Sequence, residues 1–109
     1  MVVKRESERF LIKLPVEVTA GDRVIKGTTV RVSEKGFFVR AQKVFNVGTT
    51  VDIDLFVTEE SSCRMKGVVK YAETSAISVR QNGMGVELIE TCPGYLKLLR
   101  SFEHGRSLS

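Results

Sequence analysis

The sequence has no tryptophan, one histidine and two cysteines among its 109 residues. The single histidine, His104, has no neighbouring partner in the sequence, so histidine-based catalysis is not indicated. Cys63 and Cys92 lie far apart with no histidine beside either, and we expect two ordinary thiols, without a disulfide framework or a metal site. This scarcity predicts that the protein is not an enzyme built on histidine or metal chemistry.

Long apolar runs are also missing. No segment approaches the ~18–20 apolar residues that span a bilayer, and the first nine residues lack the apolar stretch of a secretory signal. The hydrophobic fraction of 42% and the charged fraction of 28% are ordinary for a folded chain. The sequence therefore predicts one soluble domain over residues 1–109, located in the cytoplasm and without membrane insertion.

Positive charge is concentrated near the start of the chain. The formal net charge is +4, and residues 1–40 contain nine basic and five acidic residues. The remaining residues contain eight of each sign. A local excess of this kind favours an anionic partner near that segment, although ordinary solubility charge is the alternative.

Most of the chain has the alternation of β-strands. The clearest case is residues 51–57, where Asp52 and Asp54 alternate with apolar residues. We expect these two aspartates to lie on an exposed strand face and not to form a catalytic pair. Pro15 predicts an edge or a bulge, and Gly67 a bulge. The other predicted strands are 10–19, 23–32, 37–41, 63–71 and 84–89, and residues 76–79 are expected to form a loop or a short strand.

The end of the chain has a helical pattern over about residues 93–104. Thr91 can cap this helix, Pro93 suits its first turn, and Gly105 predicts its end. The apolar stripe predicts a helix that docks on the mouth of a β-barrel, with a partner-binding helix as the alternative. The stripe consists of Tyr95, Leu98, Leu99 and Phe102.

Two segments have residues suited to binding an anion. Lys4, Arg5 and Arg9 lie in a predicted flexible arm over residues 1–9, and guanidinium groups bind phosphates through two parallel hydrogen bonds. In the second segment, Ser33 can donate or accept a hydrogen bond. Gly36 can adopt a positive φ and leaves room for a flat ring.

In order and spacing, these segments resemble the motifs of PilZ domains, which are bacterial receptors for cyclic di-GMP. Arg5 and Arg9 correspond to an R-x-x-x-R motif, and Ser33 and Gly36 to a [DN]-x-S-x-x-G motif about twenty residues further on. The resemblance covers about residues 4–103 and implies an all-β fold, a six-stranded antiparallel barrel with a C-terminal α-helix. Further landmarks are Gly48, the Gly67-Val-Val run and Gly85-Val-Glu-Leu.

One position departs from the family pattern. Arg31 stands where the family has Asp or Asn, whose oxygen accepts hydrogen bonds from guanine; arginine has no acceptor. Arg31 could stack on a base, reach its O6 and N7 atoms, or bind a phosphate. The loss of one matched hydrogen bond costs roughly 1–3 kcal/mol, which is about a tenfold to hundredfold loss of affinity.

The resemblance implies a cyclic di-GMP receptor that needs no metal or other cofactor. Lys4, Arg5 and Arg9 would close over the ligand, opposite a wall formed by Arg31, Ser33 and Gly36. The signal would pass to an unidentified protein partner, and a monomer and a homodimer both remain open.

The alternative is an adaptor that has lost the nucleotide and acts in motility or type IV pilus assembly, through the helix or an exposed Phe37/Phe38 surface. A nucleic-acid polymer is disfavoured as a partner, because aromatic residues make up 7% of the chain and are not interleaved with basic ones.

Overall fold

The barrel is closed by six antiparallel strands, and one helix follows it. The computed structural model of the protein describes residues 10–108, with the side chains of residues 11–78 and 80–101. The strands are β1 (Phe10–Leu11), β2 (Pro15–Ala20), β3 (Arg23–Val32), β4 (Gly36–Arg40), β5 (Thr50–Phe56), β6 (Ser62–Glu73) and β7 (Gly83–Glu90), and the helix is α1 (Pro93–Leu108).

The strands of the barrel are hydrogen-bonded in the order β3, β2, β5, β6, β7, β4, and β4 pairs again with β3. This last pairing closes the barrel, so its strands have no free edge there. The predicted six-stranded barrel with a C-terminal helix is therefore confirmed. The two-residue strand β1 is an addition, paired with the far end of β3 through Phe10–Val32 and Leu11–Arg31.

A break in the first predicted strand separates β1 from β2. The sequence predicted one strand over residues 10–19, but residues 12–14 leave the strand conformation. The fully buried Thr29 accounts for this break, because its hydroxyl donates to the carbonyl of Ile12 at 2.7 Å and accepts from the amide of Leu14 at 2.9 Å. These bonds satisfy backbone groups that would otherwise be paired in a sheet.

The inner face of the barrel forms the hydrophobic core. Along β5, Val51, Ile53 and Leu55 are buried, while Asp52 faces outward. Asp54 accepts two hydrogen bonds of 3.0 Å from the guanidinium of Arg64 on β6. The predicted role of the two aspartates as an outer strand face is confirmed.

Helix α1 packs against the core, as predicted. Tyr95 is 0% and Leu99 4% exposed, and both belong to the core cluster, with Leu98 packed against it. The helix continues through Gly105 to Leu108, so the predicted end at Gly105 is wrong. A glycine inside a helix costs only about 1 kcal/mol, which does not by itself end one. In residues 10–108, no helix has the length and apolar character needed to cross a bilayer.

The two cysteines form a disulfide, which corrects the expectation of free thiols. Cys63 lies near the start of β6 and Cys92 directly before α1, with a Cα–Cα distance of 6.0 Å and a sequence separation of 29 residues. Their spacing along the chain gave no sign of this, because the two segments meet only when the helix packs on the barrel. The disulfide joins the start of α1 to the barrel wall.

Candidate functional site

A groove of about 270 Å³ runs along the outside of the barrel, across β3, β4, β7 and β6. The strand register aligns one residue from each strand in a row, from Arg31 through Phe38 and Gly85 to Tyr71. Because neighbouring residues of a strand point to opposite faces, this row faces outward. The groove is lined by Arg31, Ser33, Lys35, Gly36, Phe37, Phe38, Lys70, Tyr71, Gly85, Val86 and Glu87.

The wall of the groove contains a stack of aromatic and guanidinium groups centred on Phe38. This side chain is 2% exposed, although it lies outside the core cluster. The guanidinium carbons of Arg31 and Arg40 lie 5.4 and 4.8 Å from the Phe38 ring centroid, and the Tyr71 ring stacks on Phe38 at 5.7 Å. Cation–π attraction therefore favours the position of Arg31 against the wall, while its side chain stays exposed.

The turn between β3 and β4 is held rigid from several sides. The amide and the hydroxyl of Ser33 both donate to the carbonyl of Gly36, at 2.9 and 3.2 Å. The amide of Leu88 donates to the carbonyl of Lys35 at 2.7 Å. From inside the barrel, the hydroxyl of Tyr95 donates to the carbonyl of Ser33. The candidate site is therefore connected directly to helix α1.

Tyr95 remains a hydrogen-bond donor at every physiological pH. Burial raises the pKa of its hydroxyl well above the ordinary value of a tyrosine. A neutral phenol can donate to the Ser33 carbonyl, whereas a phenolate cannot.

Gly36 has a structural role that differs from the predicted one. Among the described residues, positive φ angles occur at Gly21 and Gly48, so the expected positive φ at Gly36 is wrong. A Cβ atom at Gly36 would overlap the carbonyl oxygen of Val86 on β7. Gly36 is thus required for the close pairing of β4 with β7.

Gly85, which pairs with Phe38 on β4, also allows a close contact that a side chain would prevent. A Cβ atom there would overlap the ring of Tyr71, which lies across this glycine. Tyr71 is 47% exposed, so one part of its ring packs against the wall and the rest borders the groove. The exposed part of the Tyr71 ring, among the basic residues of the groove, suits stacking of a planar ligand.

The charges lining the groove are mostly positive. Arg31, Lys35 and Lys70 are basic, and Glu87 is the acidic residue among the described lining residues. The Lys70 Nζ lies 3.6 Å from a carboxylate oxygen of Glu87, and both side chains are 57% exposed. An ion pair this exposed is weak, so a bound anion can compete for Lys70.

The structure brings together half of the predicted site. Arg31, Ser33 and Gly36 line the groove; Lys4, Arg5 and Arg9 lie outside the described residues. The sequence analysis missed Lys70, Tyr71 and Glu87. The Gly85-Val-Glu-Leu landmark was a signal for this part of β7, but the pairing of β7 with β4 and β6 is needed to place it beside the motif turn.

The predicted exposed Phe37/Phe38 surface is wrong. Phe37 is 5% exposed and contacts Tyr95 edge-on, with the ring centroids 6.2 Å apart. Phe38 is covered by the two arginines and Tyr71 described above. Two consecutive strand residues are therefore both buried, one inside the barrel and one outside.

Comparison with known proteins identifies the family. The PilZ domain model matches residues 3–102, so the chain belongs to the PilZ family, whose domains are binding or adaptor domains and include receptors for cyclic di-GMP. Among solved structures, the chain is similar to the Bacillus subtilis inhibitor of motility MotI/DgrA, with a TM-score of 0.74 and 20% identity. The match covers 98% of this chain and 52% of that one, so the chain spans about half its length. A comparison with curated proteins finds no match.

Proposed function

We propose that this chain is a cytoplasmic receptor for cyclic di-GMP and acts by binding, without catalysis. The observation that supports this most strongly is the groove itself. It combines Ser33 and Gly36 of the second family motif with a half-exposed tyrosine ring, a guanidinium over an aromatic ring and a mostly basic set of charged residues.

The ligand chemistry matches this lining. Cyclic di-GMP has two phosphodiesters, each with one negative charge, and two planar guanines. Lys35 and Lys70 favour the phosphates, and the guanidinium of Arg31 offers donors to a phosphate or to guanine O6 and N7. In the proposed complex, Arg5 and Arg9, with Lys4, close over the ligand from the opposite side.

Binding has a direct route to helix α1. A ligand seated on the motif turn acts on Ser33, whose carbonyl accepts the Tyr95 hydroxyl of α1. We propose that ligand binding biases the position of α1, and that α1 presents the result to a protein partner. The similarity to an inhibitor of motility makes the motility machinery the first place to look for that partner.

The alternative of an adaptor without a ligand is weakened by the fold. The Phe37/Phe38 surface assigned to it is buried, which leaves α1 as its contact surface. An adaptor of this kind also has no use for a positively charged groove at the motif turn.

Isothermal titration of the purified chain with cyclic di-GMP tests the proposal. We expect saturable binding that weakens at least about tenfold in Arg9→Ala and in Arg31→Ala, because each change removes a charged hydrogen-bond donor. Arg23→Ala is the matched control, since Arg23 lies on the same strand and covers the Phe45 ring at 5.8 Å without lining the groove.

Absence of heat at millimolar ligand would reject the receptor function. Unchanged affinity in Arg9→Ala would reject the arm as part of the site. Arg31→Asp separates two roles of this position: tighter binding would mean that Arg31 impairs the site, and weaker binding that it contacts the ligand.

A further inference from the structure

The groove contains one group that a site for a dianion does not need. Glu87 places a carboxylate beside Lys70 and the motif turn, where it opposes the approach of phosphates. It is the one carboxylate among the described residues that line the groove. A carboxylate here becomes favourable when it meets a hydrogen-bond donor of the ligand.

Guanine supplies such donors. Its N1–H and 2-amino groups lie side by side and pair well with a carboxylate, which has two acceptor oxygens. Arg31 cannot accept these bonds, because a guanidinium only donates. A receptor with arginine at position 31 therefore needs an acceptor from elsewhere in the groove.

The strand register puts Glu87 in the right place. Glu87 on β7 is the cross-strand partner of Gly36 on β4, and Gly36 is the last residue of the motif. Glu87 lies two positions after Gly85 on β7 and lines the same groove, so its side chain is on the outer face of the barrel. The Glu87 side chain is 57% exposed and its ion pair with Lys70 is long, so it can turn towards a ligand.

We propose that Glu87 is the residue that selects guanine in this chain, accepting hydrogen bonds from N1–H and the 2-amino group. This inference rests on the proposed cyclic di-GMP function. When the ligand binds, the ion pair between Lys70 and Glu87 breaks. Lys70 then binds a ligand phosphate, and Glu87 accepts hydrogen bonds from the guanine edge. Lys70 keeps an anionic partner and Glu87 keeps hydrogen-bond donors in both states, and the acceptor missing from β3 is supplied by β7.

Cyclic di-IMP is a sharp probe of this inference, because hypoxanthine differs from guanine only by lacking the 2-amino group. We expect the unmodified chain to prefer cyclic di-GMP over cyclic di-IMP by about tenfold, the effect of one charge-assisted hydrogen bond. In Glu87→Ala this preference should fall to near unity, because cyclic di-GMP binding weakens more than cyclic di-IMP binding.

Two variants serve as controls in the same titrations. Lys70→Ala should weaken the binding of both ligands equally and leave the preference for cyclic di-GMP intact, because in the proposed complex Lys70 contacts phosphates and not bases. Glu90→Ala, an exposed acid further along β7 that does not line the groove, should change neither affinity. Circular dichroism confirms that each variant is folded.

The outcomes separate the inference from the function on which it rests. Equal affinity of the unmodified chain for the two ligands, or an equal loss of both in Glu87→Ala, overturns the role of Glu87 while cyclic di-GMP binding stands. If the unmodified chain binds neither ligand, the receptor function fails and the inference fails with it.

Discussion

Phe37 and Phe38 are neighbours on one strand, almost equally buried, and they lie in different environments. Phe37 points into the barrel and contacts Tyr95 of the core, whereas Phe38 points outward and is covered by Arg31, Arg40 and Tyr71. The comparison shows that burial in this molecule has two origins. Inside the barrel it comes from the core, and outside from side chains that line the groove.

The two faces should therefore differ in what they contribute. Apolar packing on the inner face stabilises the fold. Removing a side chain there leaves a cavity that the surrounding groups fill only in part, so the free energy of unfolding falls. The cover over Phe38 consists of long, partly exposed side chains that can rearrange. A change on the outer face should affect ligand binding more than it affects the free energy of unfolding.

Phe37→Ala has the largest expected effect on stability. Removing a buried ring from the core should lower the free energy of unfolding by about 3–5 kcal/mol, as measured by urea denaturation. Phe38→Ala should cost clearly less, while it weakens cyclic di-GMP binding by removing the surface on which Arg31 rests. Equal costs for the two variants would contradict the distinction between the faces.

Reduction of the Cys63–Cys92 disulfide should lower the free energy of unfolding without removing any group that lines the groove. The bond closes a loop of 29 residues, for which the loss of chain entropy in the unfolded state corresponds to about 3–4 kcal/mol. Neither cysteine lines the groove, so the cyclic di-GMP affinity of the folded, reduced protein should change only by the coupling between the groove and α1. Denaturation with and without reductant, and in a Cys63→Ser/Cys92→Ser variant, measures the first effect. A loss of binding free energy as large as the loss of stability would contradict the distinction between the faces.

Tyr95→Phe tests the connection between the faces and has the smallest expected cost, about 1 kcal/mol for one hydrogen bond. Burial raises the pKa of Tyr95, so the folded state favours the neutral phenol. The contribution of Tyr95 to the free energy of unfolding should be constant below ~10, the pKa of a tyrosine in the unfolded state, and should decline as the pH rises further. Tyr95→Phe should therefore show a shallower loss of stability between about pH 10 and 11 than the unmodified chain. Identical pH profiles would contradict the burial of a neutral phenol at Tyr95.

Much of the fold was predictable because local patterns determine it. Residues 23–32 form a strand with the predicted bounds, and the alternation at 51–57 correctly separates the buried residues from Asp52 and Asp54. The apolar stripe of α1 also correctly predicted its docking. Each of these depends on the period of one strand or one helix, which the order of residues contains directly.

The errors occurred where a residue depends on a distant one. The Thr29 hydroxyl interrupts the first predicted strand from 15 or more positions away. Gly36 is a glycine because of the carbonyl of Val86, and not because of its own φ. The Cys63–Cys92 disulfide requires the helix to return to the barrel. None of these contacts has a local signature.

The sequence by itself determined most of the strands, the terminal helix and the inner face of the barrel, because these follow from local periodicity. Only the tertiary structure decided that Arg31, Phe38, Gly85 and Tyr71 form one row and that Glu87 lies opposite Gly36. The physical reason is that strand register is set by the packing and hydrogen bonding of the whole barrel, and a shift of one residue would exchange the two faces.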